Sequence, residues 1–479
     1  MKRSEPAVLL VNPWIFDFAA YDSWSKPVGL LSVGGALVEN GYHVSLLDCL
    51  DRAGTGASDS AGGKPGPHGT GHYSKAFLPK PAPYRSIPRR YGRYGMSDAA
   101  VDAFFRRSPA PDLIFVTSGM TYWYPAVVDM VRRLKAAYPK TPVVLGGTYA
   151  TLCRTHAERV SGADAVVSGE GEGQAVGIAD SMTGHRSEKT DYSNLDDVPF
   201  LPYHLYLRLE SAAVLTSRGC SYRCPFCASH LLTGMHRKRD PERVVEEIEI
   251  LVRGRRVRHI AFYDDALLHD TNAHFLPILE GIIQRGLGVF LHTPNGLHPR
   301  WVDSRLAALL KKAGGTTVRL SYESANPDRQ RAMGLKVTDD DFTAAVECLR
   351  TAGFQQDDLG GYVIQGLPDQ SIGEALESML FVFRLGIKAS VASFSPIPGT
   401  ACWNEAVRRG LLDVEADPLL SNNFYFPMTR GPGFYQATVA LGSLSALGNR
   451  IIQRGGMPLG DPEFKLALSS LERGMRNAE

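Results

Sequence analysis

The chain has 479 residues and a mass of 52.3 kDa; at roughly 100–200 residues per domain this is room for two to four domains, which excludes a mini-protein stapled by metal or disulfide. Apolar residues make up 44% and charged residues 21%, near globular averages, and Lys+Arg 52 against Asp+Glu 50 leaves a formal charge of +2, so bulk charge gives no ground for a nucleic-acid or membrane partner. No apolar run approaches the roughly 20 residues of a membrane span, and after Met1-Lys2-Arg3 the stretch Ala7 to Val11 is too short for a secretory signal; a soluble, cytoplasmic protein is expected.

From the N-terminus, short apolar strands alternate with helical patterns: Ala7 to Val11, a helix over Val28 to Glu39, then Val44 to Leu47. A second set holds Leu113 to Thr117, a helix around Ala126 to Ala137, Val143 to Leu145 and Ala165 to Val167. Continuous apolar strands separated by helix-length segments predict a doubly wound, Rossmann-like α/β domain with a parallel sheet covered on both faces. Such a sheet binds ligands beyond its strands' carboxyl ends. Those ends carry Asn12-Pro13, Asp48, Thr117-Ser118-Gly119, Gly146-Gly147 and Gly169-Glu170-Gly171-Glu172; the glycines serve either close ligand approach or tight turns.

Between Ser60 and Ser97 the chain is Gly- and Pro-rich without an acidic residue, and Lys64, Lys75, Lys80, Arg85, Arg89, Arg90 and Arg93 interleave with Tyr73, Phe77, Tyr84, Tyr91 and Tyr94. No regular element is expected there. The composition suits a phosphate-bearing ligand or single-stranded RNA, or a lid or surface excursion.

Asp196-Asp197, Pro199 and Pro202 mark a linker, after which six strands are expected: Ala213 to Thr216, His259 to Tyr263, Val289 to His292, Val318 to Tyr322, Gly361 to Ile364 and Ser390 to Phe394. Alternation with helices predicts a partial or complete (β/α) barrel whose working groups lie where strands end. Asp240 and Pro241 open one helix, with Val244, Val245, Ile248, Leu251 and Val252 as its apolar stripe. A helix from about Val302 to Ala313 stops at Gly314. Beyond Cys402 the chain reads as mainly helical, with an irregular stretch from Leu419 to Gln436.

Of seven cysteines, Cys49, Cys153, Cys348 and Cys402 are scattered while Cys220, Cys224 and Cys227 fall within eight residues. An odd count without an export signal argues against a disulfide framework. Thiolates select zinc, copper(I) or iron–sulfur clusters. Three of them leave one iron of a four-iron cluster open to a small molecule; for zinc, His230 would close a Cys3His site.

Arg218-Gly219-Cys220-Ser221-Tyr222-Arg223-Cys224-Pro225-Phe226-Cys227 resembles the signature of the radical S-adenosylmethionine (SAM) enzymes. The resemblance runs from Val214 to Thr400 through Tyr263-Asp264-Asp265, Asn295-Gly296-Leu297, Tyr322-Glu323-Ser324, the segment Gly361 to Pro368, and Ser395-Pro396-Ile397-Pro398-Gly399-Thr400. It implies a [4Fe-4S] cluster on Cys220, Cys224 and Cys227, whose open iron chelates the amino and carboxylate groups of SAM. An electron then splits SAM to methionine and a 5′-deoxyadenosyl radical. It also implies that Phe226 and the segment carrying Gly361, Gly366 and Pro368 lie near adenine, and Glu323 near SAM's polar groups. Asp264 and Asp265 either orient substrate or ribose or cap the next helix.

Residues Ala7 to Val176 resemble the cobalamin-binding domain of one radical SAM subgroup, in Pro27 to Ser32, Leu47-Asp48, Pro111 to Ser118, Val144 to Ala150 and Val167 to Glu172. Ser118, Gly146 and Gly147 are the candidate cobalamin contacts. The Asp-x-His-x-x-Gly histidine of several cobalamin proteins is absent; the region reads Asp17-Phe18-Ala19-Ala20-Tyr21-Asp22. Tyr122, Trp123 and Tyr124 cover a corrin face or a substrate, or pack as bulk. The expected organisation is a cobalamin-binding-like domain over 1–185 with a basic insertion at 52–97, a linker at 186–210, a radical SAM barrel over 211–400 and a helical extension over 401–479. The expected reaction is cobalamin-dependent methylation or another radical modification of an unactivated carbon in a small-molecule substrate, fed by a reductase or a flavodoxin- or ferredoxin-type electron donor. Radical chemistry without cobalamin, and a non-catalytic iron–sulfur electron carrier or sensor, are the alternatives.

Overall fold

The structure, a computed structural model, describes residues 5–54, 62–334 and 336–476; Met1-Lys2-Arg3 and the start of the basic loop at Ser60 lie outside them. The chain divides into two compact units. The first comprises Met1–Val214, Leu231–Thr233 and Glu246–His259; the second comprises Leu215–His230, Gly234–Val245 and Ile260–Glu479.

In the first unit, β1 (Ala7–Asn12), β2 (His43–Asp48), β3 (Leu113–Val116), β4 (Val143–Leu145) and β5 (Ala165–Val166) form a parallel sheet in the order β5-β4-β3-β1-β2. Alternation of side chains along each strand makes two cores. Val8, Leu10, Val44, Leu113, Phe115 and Val144 meet Leu30, Val33 and Leu37 of the helix Val28–Glu39 and Val176 of the helix Glu172–Thr183. Leu9, Val11, Ile114, Val116, Val143 and Leu145 meet Val127, Met130, Val131 and Leu134 of the helix Tyr124–Ala137. The chain reverses direction across the sheet between β1 and β3, the point at which doubly wound sheets open a ligand crevice above the carboxyl ends.

The basic segment departs from the expectation of no regular structure. Gly71–Tyr73 pairs antiparallel with Tyr21–Asp22 on one side and Gly62–Pro65 on the other, and Gly92–Tyr94 pairs antiparallel with Ile15–Asp17 on one side and Lys75–Phe77 on the other. The aromatics that looked like a stacking platform are its core: Tyr84 is fully buried, Tyr73, Tyr91 and Tyr94 nearly so, and Phe18 packs on Tyr84 and Tyr91 at 5.1 and 5.3 Å between ring centroids. Phe77 alone of the five remains exposed. The sequence pattern misled because strands of two to four residues are too short to show a period.

All six later strands exist: β6 (Ser211–Val214), β7 (His259–Phe262), β8 (Phe290–Leu297), β9 (Gly315–Glu323), β10 (Leu359–Gln365) and β11 (Lys388–Ser393). Strands β7 to β11 lie side by side in chain order, and β8 to β11 pair in parallel, so their carboxyl ends share one rim. The intervening helices start where their caps require: Asp240 accepts from Glu242 N, and Asp303 from Leu306 N. The Leu419 to Gln436 stretch is more ordered than expected, holding 3-10 turns at Pro418–Ser421 and Phe426–Arg430, and the helix Pro432–Gln453 begins inside it. That helix closes the sheet edge: Asn449 exchanges hydrogen bonds with both backbone groups of Ala389 on β11, at 2.9 and 2.8 Å, and Ser445 Oγ donates to the same carbonyl at 2.7 Å.

If the basic insertion is an integral layer, Tyr84→Ala should destabilise the protein by about 3–5 kcal/mol, the range for truncating a buried large aromatic, in equilibrium denaturant unfolding; a change below about 1 kcal/mol would mean that it folds as an independent appendage.

Candidate active site

The cysteine loop leaves the barrel just after β6, and a single carboxylate fixes its departure. Asp264, 3% exposed at the end of β7, accepts from Thr216 N at 3.0 Å, Thr216 Oγ1 at 2.8 Å and Ser217 Oγ at 2.6 Å. Burial raises its pKa and these donors lower it. Asp264 is therefore a structural anchor and neither a ribose ligand nor a helix cap; the following helical turn is preceded by Asp270 instead. Asp265 is exposed and hydrogen-bonded to Ser229. Ser217–Arg218 then pairs antiparallel with Arg237–Lys238, and Gly219, at φ +82°, passes so close that a Cβ there would lie 2.8 Å from Met235 O.

Within the loop, Cys227 N donates to Cys224 O at 3.0 Å, and Cys402 N donates to Pro225 O at 2.9 Å. Cys224 is buried, Cys220 and Cys227 partly so. Burial pushes the Cys224 thiol up to about 11 and raises Cys220 as well; the neighbouring cysteines add to both shifts, and Lys336 opposes them. Two thiols that resist ionisation, with a third cysteine beside them, are what a thiolate-binding metal centre relieves. Ser229 N points to Cys227 Sγ at 3.5 Å and Ser229 Oγ lies 3.2 Å from it, hydrogen bonds of the kind that tune cluster sulfurs. Among the described residues no three His, Cys, Asp or Glu side chains are grouped to hold a single metal ion. The donor set fits a cluster.

Glu323 ends β9 at φ +71°, after a register shift against β10. A left-handed backbone costs a non-glycine residue of order 1 kcal/mol or more and persists only where the surroundings enforce it. Here Tyr322 OH bonds Asp339, and Gln330 Nε2 donates to Ser324 O and Asp339 at 2.9 and 2.8 Å. Burial raises the Glu323 carboxyl, and Lys336 counters it. Lys336 went unnoticed in the sequence because it lies in a turn without a motif. Its ammonium faces Glu323 and all three thiols, whose influence outweighs desolvation and raises its pKa, and it sits 5.9 Å over the Tyr222 ring.

Phe226 packs on a cluster formed by Ile364, Leu367, Phe394, Trp403 and Phe426, which brings it to the segment after β10. Gly366, at φ +85°, borders open space, whereas Gly361 is small for another reason: a Cβ there would meet Phe342 at 2.7 Å. Pro368 is buried.

In the first unit, Ser118, Gly146 and Gly147 converge above adjacent β3 and β4. Ser118 Oγ donates to Gly146 O at 2.6 Å and accepts from Ala150 N at 3.3 Å, and Thr148 N donates to Ser118 O at 2.8 Å. Gly147, at φ +92°, has Ser118 O 2.5 Å from where its Cβ would be, while a Cβ at Gly146 would meet only Val167 O, at 3.9 Å, and Gly169 faces open space. The result is a backbone ledge that suits the edge of a large ligand. Asp17 is committed elsewhere, accepting from Trp123 Nε1 and Phe18 N, both at 2.7 Å. Tyr122 is buried and Tyr124 stacks on Tyr149 at 5.6 Å, so these aromatics pack.

Asp264→Ala would leave buried donors of Thr216 and Ser217 unpaired, and should cost about 3 kcal/mol in denaturant unfolding. Asp264→Asn, which keeps an acceptor, should recover part of that loss; equal losses would show that the carboxylate oxygens do not set the loop.

The radical SAM superfamily profile matches residues 214–382 and the B12 binding domain profile matches residues 95–179. An uncharacterized methyltransferase of Pyrococcus horikoshii is 28% identical over 332 residues, covering 63% of this chain and 71% of the relative. The cytidylyl-2-hydroxyethylphosphonate methyltransferase of Streptomyces wedmorensis is 23% identical, covering 86% and 84%. The anaerobic magnesium-protoporphyrin IX monomethyl ester cyclase of Rubrivivax gelatinosus is 25% identical, covering 51% and 49%. In fold, the chain is similar to the radical SAM methyltransferase TsrM from Kitasatospora setae, solved with cobalamin and a [4Fe-4S] cluster bound, at a TM-score of 0.58 and 18% identity over 85% of this chain and 78% of that one. With its cysteine loop, its parallel strands and a B12-binding domain ahead of them, the chain belongs to the radical SAM superfamily and is a radical SAM enzyme.

Proposed function

We propose that this enzyme methylates an unactivated carbon of a small molecule, with cobalamin held on the first unit and SAM on the second. The observation that carries the reading is the trio Cys220, Cys224 and Cys227, one buried and two half-buried, beside Glu323 and Lys336, in a chain that also has the glycine ledge of a B12-binding domain. The methyltransferase relatives and the TsrM fold support it. When bound, a cluster on three cysteines offers its fourth iron to SAM, and an electron delivered there cleaves the sulfonium.

This chain's own residues bind and exclude. The thiols hold the metal centre, and Ser229 donates toward one sulfur. Glu323 and Lys336 present one negative and one positive group beside the loop, the complement of SAM's amino and carboxylate groups. Phe226 and the residues after β10 close an apolar wall, which keeps water from a radical that would abstract any hydrogen in reach. In the first unit, Ser118 ties the loops after β3 and β4 together, leaving Gly146 lightly covered and Gly169 open to a corrin edge. The segment after β1 has no histidine, and its Asp17 is committed to Trp123 and Phe18. The seven cysteines form no disulfide, which fits a reducing cytoplasm, and among the described residues no helix is long and apolar enough to cross a membrane.

Anaerobic reconstitution should give about four iron and four sulfide per chain, with reductant-dependent cleavage of SAM to 5′-deoxyadenosine, and Cys224→Ala should lose both. An intact cluster that never cleaves SAM would instead indicate an electron carrier or sensor. Supplied cobalamin should copurify in about equimolar amount and show corrin absorption; a protein that cleaves SAM without retaining corrin would return the reaction to radical chemistry other than cobalamin-dependent methylation.

A further inference from the structure

The basic insertion of the first unit is left unused by the chemistry at the cysteine loop. Between Ser60 and Ser97 it has seven cations and no acidic residue. Many of its conspicuous residues are spent on folding: Tyr73, Tyr84, Tyr91 and Tyr94 are its core, and Arg93 is ion-paired with Asp98. Several of the others converge on one face. Phe77, 54% exposed, has the Lys75 ammonium 5.6 Å and the Arg90 guanidinium 4.8 Å from its ring centroid, and neither cation is in an ion pair among the described residues. Beside the ring runs a groove of about 380 Å³, with Phe77, Leu78, Pro88 and Tyr91 in its apolar lining and Lys80 and Arg90 in its cationic one. Backbone pairing fixes its frame: Leu78 N donates to Tyr91 O at 3.0 Å, continuing the pairing of Phe77 with Gly92. Tyr91 commits its hydroxyl to Phe16 O at 3.2 Å, so its ring is what remains for the groove. Lys80 Nζ donates to Ile87 O at 2.5 Å, which uses one of the ammonium's three donors.

An apolar slot edged by donors of one sign takes an amphiphilic anion, whose flat part displaces water from carbon while its charged part meets the cations. We propose that this groove binds a nucleotide-sized ligand, a planar heteroaromatic ring carrying a phosphate, with the ring against Phe77, Leu78 and Pro88 and the phosphate held by Lys80 and Arg90. The volume lies at the small end of small-molecule pockets, enough for one such unit. A long single strand is disfavoured, because surfaces that track one repeat the stacking ring base after base, and here the four tyrosines that would supply the repeat are buried. The binding is non-covalent and does not depend on what the cysteine loop does.

The test is calorimetric titration of the reconstituted full-length protein with uridine 5′-monophosphate (UMP), in saturating S-adenosylhomocysteine and hydroxocobalamin so that neither cofactor site competes for the probe. UMP should bind with a Kd below about 1 mM, and uridine and inorganic phosphate, each carrying half of the recognised chemistry, at least about tenfold more weakly. Phe77→Ala and Arg90→Glu should each weaken UMP binding about tenfold or more. Lys140→Glu, the same charge reversal at an exposed position before β4, at the opposite end of the sheet from the insertion, should change it by no more than about twofold. No measurable UMP binding, or unchanged binding in both groove variants, would overturn the proposal. So would phosphate binding as tightly as UMP, which would make the groove a bare anion patch, or Lys140→Glu costing as much as Arg90→Glu, which would make the effect one of bulk charge. An oligouridylate of about ten residues binding more than about a hundredfold tighter than UMP would assign the face to single strands and overturn it as well. Arg90 is exposed, and its variant keeps the test decisive if Phe77→Ala folds poorly.

Discussion

One buried carboxylate organises the catalytic end of the second unit. A carboxylate out of water must be surrounded by donors, and Asp264 finds them in consecutive residues, Thr216 and Ser217, at the point where the chain leaves the barrel. Everything the cysteine loop does is referred to that point. The thiols lie four to eleven positions further along (Cys220 minus Thr216; Cys227 minus Thr216), and the loop's far side is tied to Cys402 through Pro225. A metal centre with three protein bonds needs a frame already in place, because a loop ordered only by the metal would lose binding energy to its own entropy.

The two units solve the same problem differently. In the second, specificity is placed on side chains: thiols, the strained Glu323 and the charged Lys336. In the first, it is placed on backbone, with Ser118 spending its hydroxyl on the neighbouring loop while Gly169 faces open space. A side-chain site suits small charged groups that must be bound in one orientation. A backbone ledge suits the broad, nearly neutral edge of a macrocycle, which offers many weak contacts and few strong ones.

Much of this was legible from residues alone. Long apolar strands announced themselves, and the predicted helix Val28 to Glu39 and strand Val143 to Leu145 have the observed bounds. The ligand cysteines were legible because their chemistry demands a spacing. Lys336 was not, since its role depends on a turn folding back over the loop, and a lone lysine between two helices carries no pattern. The basic insertion was misread for the opposite reason: its composition was loud, but its aromatics are consumed by local pairing with the residues after β1. Gly361 shows a third limit, in that a glycine belonging to a family motif is also explained by the phenyl ring of Phe342 lying against it.

The carboxamide of Asn449 has a consequence for how the protein behaves in company. The outermost strand of an open sheet ordinarily presents unmatched amide and carbonyl groups that another polypeptide can extend. Here the helix Pro432–Gln453 satisfies the pair at Ala389, near the start of β11, with a side chain, so that position is no longer a template for accretion. Ser445 and Asn449 thus close this point of the strand edge to a further chain, which matters for an enzyme whose cofactors must be loaded before it can work.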